Sequence, residues 1–172
     1  MRWAWVLVLL ASCSKVEPPS PSLLWCAEPG ALDDLTDPNN YPPAAREPVL
    51  RGKLLIIRQD ERQADGNLMW DVPKDLWPSR KEEVGTVIWT RHHRFKTGQY
   101  NTGAIGIQES IEITILDQVA RERIFNRLFD GAKPEADFKT TAAQSEEYSR
   151  TGVRGSTPEK AVMAFILGLP RK

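Results

Sequence analysis

The residue pattern predicts an α+β fold, mainly β: a small antiparallel β-meander closed by a C-terminal helix. Three observations carry it. Ile105, Ile107, Ile111, Ile113 and Ile115 fall on odd positions while Gln108, Ser110, Glu112 and Thr114 fall on even ones, and period two is the pattern of a half-buried strand. Leu54–Ile57 and Val84–Thr90 are short apolar runs rich in β-branched residues, the composition of strands buried on both faces. Near the end, Val162, Phe165, Ile166 and Leu169 stand at helical spacing. A chain of 172 residues, 41% hydrophobic and 27% charged, is of ordinary globular make-up and holds one domain plus tails.

Along the chain, the first element is a targeting segment. Arg2 precedes an apolar stretch from Trp3 to Ala11, too short to span a bilayer and of signal-peptide length. A buried first strand is the competing reading, and the Pro- and Ser-rich stretch that follows argues against it. Leu10-Ala11-Ser12-Cys13 resembles the lipobox of bacterial lipoprotein signal peptides. The resemblance implies removal of residues 1–12, lipid attachment to Cys13 and anchoring to the membrane. Ser14 at the second mature position resembles the sorting pattern for the outer membrane, where the organism has one. A plain secretory signal, leaving a periplasmic or secreted protein, is the alternative.

Cys13 and Cys26 are the only cysteines. If Cys13 takes lipid, Cys26 is a spare thiol. If not, a disulfide between the two closes a small loop that constrains little of the domain. Their spacing matches neither a redox motif nor a metal site.

Residues 13–48 are proline-rich without apolar periodicity and read as an extended tether, with Leu23-Leu24-Trp25 an island able to dock. The domain is expected over 49–170. Leu54–Ile57 forms its first strand. Residues 58–66 make a charged turn closed by Asp65-Gly66. Leu68–Val72 suggests a second strand stopped by Pro73. Ser79 and Glu82 have capping-box spacing for one helical turn. The strand from Val84 continues through Arg91–Phe95 to a turn around Gly98, then the isoleucine strand follows. In it Glu109 interrupts the apolar face and marks a bend, a bulge or a sheet edge. Residues 117–131 are two-sided. Ile124, Phe125, Leu128 and Phe129 would form one helix face, with Asp117 as cap and Gly131 as stop; the other reading is a last hairpin strand. Residues 139–156 lack an apolar face and read as a flexible insertion. Ser156, Thr157, Pro158 and Glu159 mark a helix start, and Gly168 and Pro170 its end.

Gly52-Lys53 before an apolar strand, Glu83-Val84-Gly85-Thr86-Val87-Ile88-Trp89, Gly98-Gln99-Tyr100, Leu116-Asp117, Phe129-Asp130-Gly131-Ala132-Lys133-Pro134 and Ile166-Leu167-Gly168-Leu169-Pro170 together resemble an uncharacterised bacterial domain family. That family carries a GTVVW-like strand, a hairpin, a strand ending in Asp, an F-x-G-x-x-P segment and a closing Leu-Pro helix. The resemblance spans about residues 50–170. It implies a β-meander with a C-terminal helix, takes 117–130 as strand, and implies no active site.

Two groups of side chains are candidates for ligand contact. Arg91-His92-His93-Arg94-Phe95-Lys96 is the one concentrated basic run. Adjacent strand residues face opposite ways, so His92 and His93 do not share a metal ion. A solvated hairpin tip is the plain reading, contact with an anionic lipid headgroup or polysaccharide the sharper one. Trp70, Trp77 and Trp89 either fill the core or present flat faces to a sugar. No catalytic or cofactor motif occurs: there is no Gly-x-Ser-x-Gly, no P-loop and no Gly-x-Gly-x-x-Gly. No metal site and no cofactor are expected.

Function is bounded by charge and hydropathy. With 23 Lys+Arg against 23 Asp+Glu, there is no basic footprint for nucleic acid. A mean hydropathy of -0.42 excludes a polytopic membrane protein. The expected protein is a bacterial cell-envelope lipoprotein with a non-catalytic binding or scaffolding role, held to the membrane through its lipid and contacting an envelope protein. A secreted or periplasmic enzyme without a recognisable motif, and a ligand sensor using the tryptophans and basic hairpin, are the alternatives.

Overall fold

The computed structural model describes residues 21–136, 148 and 151–172. The expected signal segment, Cys13 and most of the 139–156 insertion lie outside the described residues. The fold is mainly β with a few helices and a C-terminal helix. A 3-10 turn (Pro21–Ala27), α1 (Asp33–Thr36) and a second 3-10 turn (Pro38–Asn40) lead to β1 (Lys53–Arg58), β2 (Gln63–Ala64) and α2 (Gly66–Trp70). Further 3-10 turns (Lys74–Leu76, Lys81–Glu83) precede β3 (Val84–Gln99), β4 (Ile105–Asp117) and β5 (Glu122–Asp130). The chain closes with β6 (Val153–Arg154) and α3 (Glu159–Leu167).

The sheet runs β2-β1-β3-β4-β5, with β6 beside the start of β4. β3, β4 and β5 form the expected antiparallel meander. β1 departs from it, pairing parallel to β3, so the sheet is mixed. A parallel pair needs a crossover, and residues 59–83, with α2, supply it. β1 is buried along Leu54–Ile57, as its unbroken apolar run requires. The 117–131 ambiguity resolves to strand. Phe125 and Phe129 oppose Ile115 and Ile111 and reach Phe165 of α3, at centroid distances of 5.1 and 5.5 Å. Val162, Met163 and Ile166 bury the rest of that helix on the isoleucine face.

Glu109 stands where β4 changes neighbour. Ser110–Asp117 pair with β5, whereas Gly106 and Ile107 pair with β6. Between them the Glu109 carbonyl accepts the Gly131 N–H at 2.8 Å. Gly131 must be glycine: a Cβ there would sit 2.1 Å from the Ser156 carbonyl oxygen and 2.6 Å from that of Glu109.

Two expectations are corrected. Leu68–Val72 is not a strand but belongs to α2 and its exit, because the Asp65 carboxylate accepts the Leu68 N–H and caps a helix. Leu68, Met69 and Val72 then all point into the core. The tether reading also fails from residue 21 onward. Leu23, Leu32, Leu35 and Tyr41 are buried in the main core, and the segment lies across the sheet face opposite α3. Trp89 Nε1 donates to the Leu35 carbonyl at 2.7 Å, and Tyr41 meets Trp89 edge-on at 5.6 Å. Further on, Ala44 N–H donates to Arg123 O at 2.9 Å, and Arg46 pairs with the buried Asp117 at 2.7 Å. Apolar residues spaced this widely give no periodic signal, yet they cover a sheet face that would otherwise meet water.

Candidate site on the β3–β4 hairpin

Directly opposed residues share a face, so the hairpin sorts its polar groups by register. Trp89, Arg91 and His93 stand with Thr114, Glu112 and Ser110, while Thr90 and His92 stand with Ile113 and Ile111. His92 and His93 therefore face opposite ways.

On the isoleucine face, Asp65 is the centre. Its side chain has no exposure. Oδ2 accepts from Thr90 Oγ1 at 2.8 Å and faces His92 Nε2 at 3.2 Å; Oδ1 faces Arg58 Nη2 at 3.5 Å while capping α2. Burial alone would raise its pKa. The hydrogen bonds from His92 and Thr90 and the Arg58 charge outweigh burial and hold the carboxyl below its ordinary value.

On the other face lies a cleft of about 220 Å³ lined by Pro38 of the covering segment and by Gln59, Trp89, Arg91, Glu112, Thr114, Arg123 and Asn126. Its polar groups hold one another in place. Arg91 Nε meets Asp60 at 3.3 Å and its Nη2 donates to Gln59 Oε1 at 3.2 Å. Asn126 Nδ2 donates to Glu112 Oε1 and Thr114 Oγ1, both at 2.9 Å. His93 Nε2 lies 3.2 Å from Glu112 Oε2. The Asn126 amide is the main cause that holds the Glu112 carboxyl below its ordinary range; burial opposes it, and His93 and Arg91 add to the lowering. The cleft thus carries a fixed carboxylate beside a fixed guanidinium. A larger concavity of about 810 Å³ lies at the hairpin tip, with Gln99, Tyr100, Lys133 and Pro134 on its walls.

The basic run that reads as one patch is a ladder of pairs: Arg91–Asp60, His92–Asp65, His93–Glu112 and Arg94–Glu109. Of the three tryptophans, Trp77 and Trp89 are buried and Trp70 is exposed. Trp77 donates to Val72 O at 2.9 Å and touches Trp70 at 5.7 Å, while Trp89 lines the cleft alone. They share no common platform. Cys26 is a half-buried free thiol, pushed up to about 12 by burial. No cluster of three metal-ligating side chains occurs among the described residues, and no described helix is long and apolar enough to cross a membrane.

Sequence reasoning missed Asp65, Glu112, Asn126 and Thr90. A signal for Glu112 was present: folding the hairpin about residues 101–102 pairs Arg91 with Glu112 and Arg94 with Glu109. Asp65 and Asn126 come from separate strands and turns and have no such signal. A scan against protein-family models finds no match, and a search of curated proteins finds no significant relative.

Proposed function

We propose that the chain is a bacterial cell-envelope lipoprotein, anchored through lipid on Cys13, whose domain binds rather than transforms its ligand. The preformed cleft beside Trp89 carries this reading. It offers a carboxylate, two guanidinium groups, two amides and a hydroxyl around an indole within about 220 Å³, and hydrogen bonds among these groups hold Arg91, Glu112 and Asn126 in place. Pre-organised polar groups of this kind lose little entropy on binding. The volume is below the usual ~300–1,000 Å³ of drug-sized sites and suits one hydroxyl-rich unit, such as a sugar ring of an envelope polysaccharide.

The test is titration of the chain with soluble oligosaccharides of bacterial envelopes, with Arg91→Ala and Asn126→Ala alongside. Binding that weakens at least tenfold in both variants supports the reading. Binding that neither substitution changes, or none to any envelope oligosaccharide, overturns the assignment of the cleft.

A further inference from the structure

The packing of residues 21–48 onto the sheet shortens the reach of any anchor at Cys13. Leu23 already lies in the core, so residues 14–20 alone separate Cys13 from the folded unit. Even fully extended, eight Cα–Cα steps span about 29 Å at most. A lipid on Cys13 would therefore keep the root of the domain beside the bilayer, not a long tether's length away.

The surface at that root exposes two large apolar side chains, Leu24 and Trp70. The 3-10 turn Pro21–Ala27 leaves Leu24 55% exposed. Next to Leu24, Trp25 is half-buried, and its indole donates to Pro78 O at 3.4 Å. Trp77, beside Pro78, packs edge-on against Trp70, which is 43% exposed. The exposed charges around them are mixed: Lys74 and Arg80 flank Trp77 and Pro78 in the chain, Asp71 and Asp75 stand close to Lys74 in sequence, and Arg80 pairs with Glu83 at 3.2 Å. Tryptophan prefers the headgroup layer of a bilayer, where apolar and charged groups lie side by side. The same end of the sheet holds the start of β3, since Lys53 opposes Val84 in register and its ammonium bonds the Asp75 carbonyl. From there the 16-residue β3 runs toward the hairpin tip.

We propose that Leu24, Trp25 and Trp70 form a bilayer-docking face that seats the domain on the membrane with the β3–β4 hairpin and its cleft directed away from it. The inference rests on the anchor at Cys13 and deepens that reading.

The experiment couples the chain from Cys13 onward, the mature form of that reading, through the Cys13 thiol to a maleimide phospholipid. The vesicles are phosphatidylethanolamine with a quarter phosphatidylglycerol, made with and without brominated acyl chains. Coupling by this route does not depend on whether cells lipidate Cys13, and a Cys26→Ser background leaves Cys13 as the one thiol. Bromine should quench tryptophan emission in the anchored chain. Trp70→Phe should remove a large share of that quenching, and Leu24→Asp should lower it severalfold without changing near-ultraviolet circular dichroism. Equal emission from brominated and plain vesicles, with the chain sedimenting with both, would overturn the docking face. Failure of Cys13 to take a fatty-acid label in cells would instead overturn the anchor.

Discussion

Asp65 joins three parts of the fold, and its replacement tests whether that junction is as drawn. The carboxylate caps α2, accepts from Thr90 and faces Arg58 and His92. Asp65→Ala removes the cap, worth ~1 kcal/mol. It also leaves the buried Thr90 hydroxyl with only the Ile57 carbonyl, at 3.3 Å. Arg58 and His92 keep 26% and 34% of their side chains in water, so solvent softens the loss of those pairs. The sum is about 2–4 kcal/mol, a large part of the ~5–15 kcal/mol that holds a typical domain. The sign of the pH dependence follows from the lowered carboxyl. Its contribution is complete above the ordinary aspartate value near ~3.9 and disappears as pH falls through the lower native one. Urea unfolding of wild type and Asp65→Asn between neutral pH and pH about 3 reads this directly: the wild-type advantage should shrink on acidification. A loss under ~1 kcal/mol for Asp65→Ala, or an Asp65→Asn gap that widens in acid, would show that the carboxylate does not hold this junction together.

Two further outcomes probe the sheet and its crossings. Ile113 is fully buried on the α3 side, so Ile113→Glu should cost several kcal/mol, whereas Glu112→Gln, which keeps an oxygen for Asn126, should cost about 1 kcal/mol or less by urea unfolding. Gly131→Ala sets a Cβ 2.1 Å from the Ser156 oxygen; it should cost ~2 kcal/mol or more, measured by the same unfolding, because backbone must move to admit it.

How far the sequence carries depends on whether a feature is local. β1, β3 and β4 were legible because continuous apolar runs and period two are written in consecutive residues. α2 was not, because five residues are too few to separate helix from strand, and its cap, Asp65, also reads as the end of a turn. In 117–131, the periodicity of Ile124, Phe125, Leu128 and Phe129 slightly favours a helix face; what selects strand is β4 beside it and Phe165 opposite, both distant in sequence. The N-terminal segment misled for a similar reason. Proline richness suggests an open spacer, and only the sheet reveals that Leu35 and Tyr41 have Trp89 to cover. The histidines' opposite facing followed from strand geometry, but their carboxylate partners came from β4 and from the turn before α2.

Both the proposed function and the docking face depend on one covalent bond at Cys13, and labelling in growing bacteria tests it. Cells expressing the full chain or Cys13→Ala are fed an alkyne fatty acid, and the purified protein is analysed for label and for the mass of its N-terminal peptide. Lipid anchoring predicts label on the wild type alone, with a peptide that begins at an acylated Cys13. Equal label on both chains, or a wild-type protein without lipid, would contradict it.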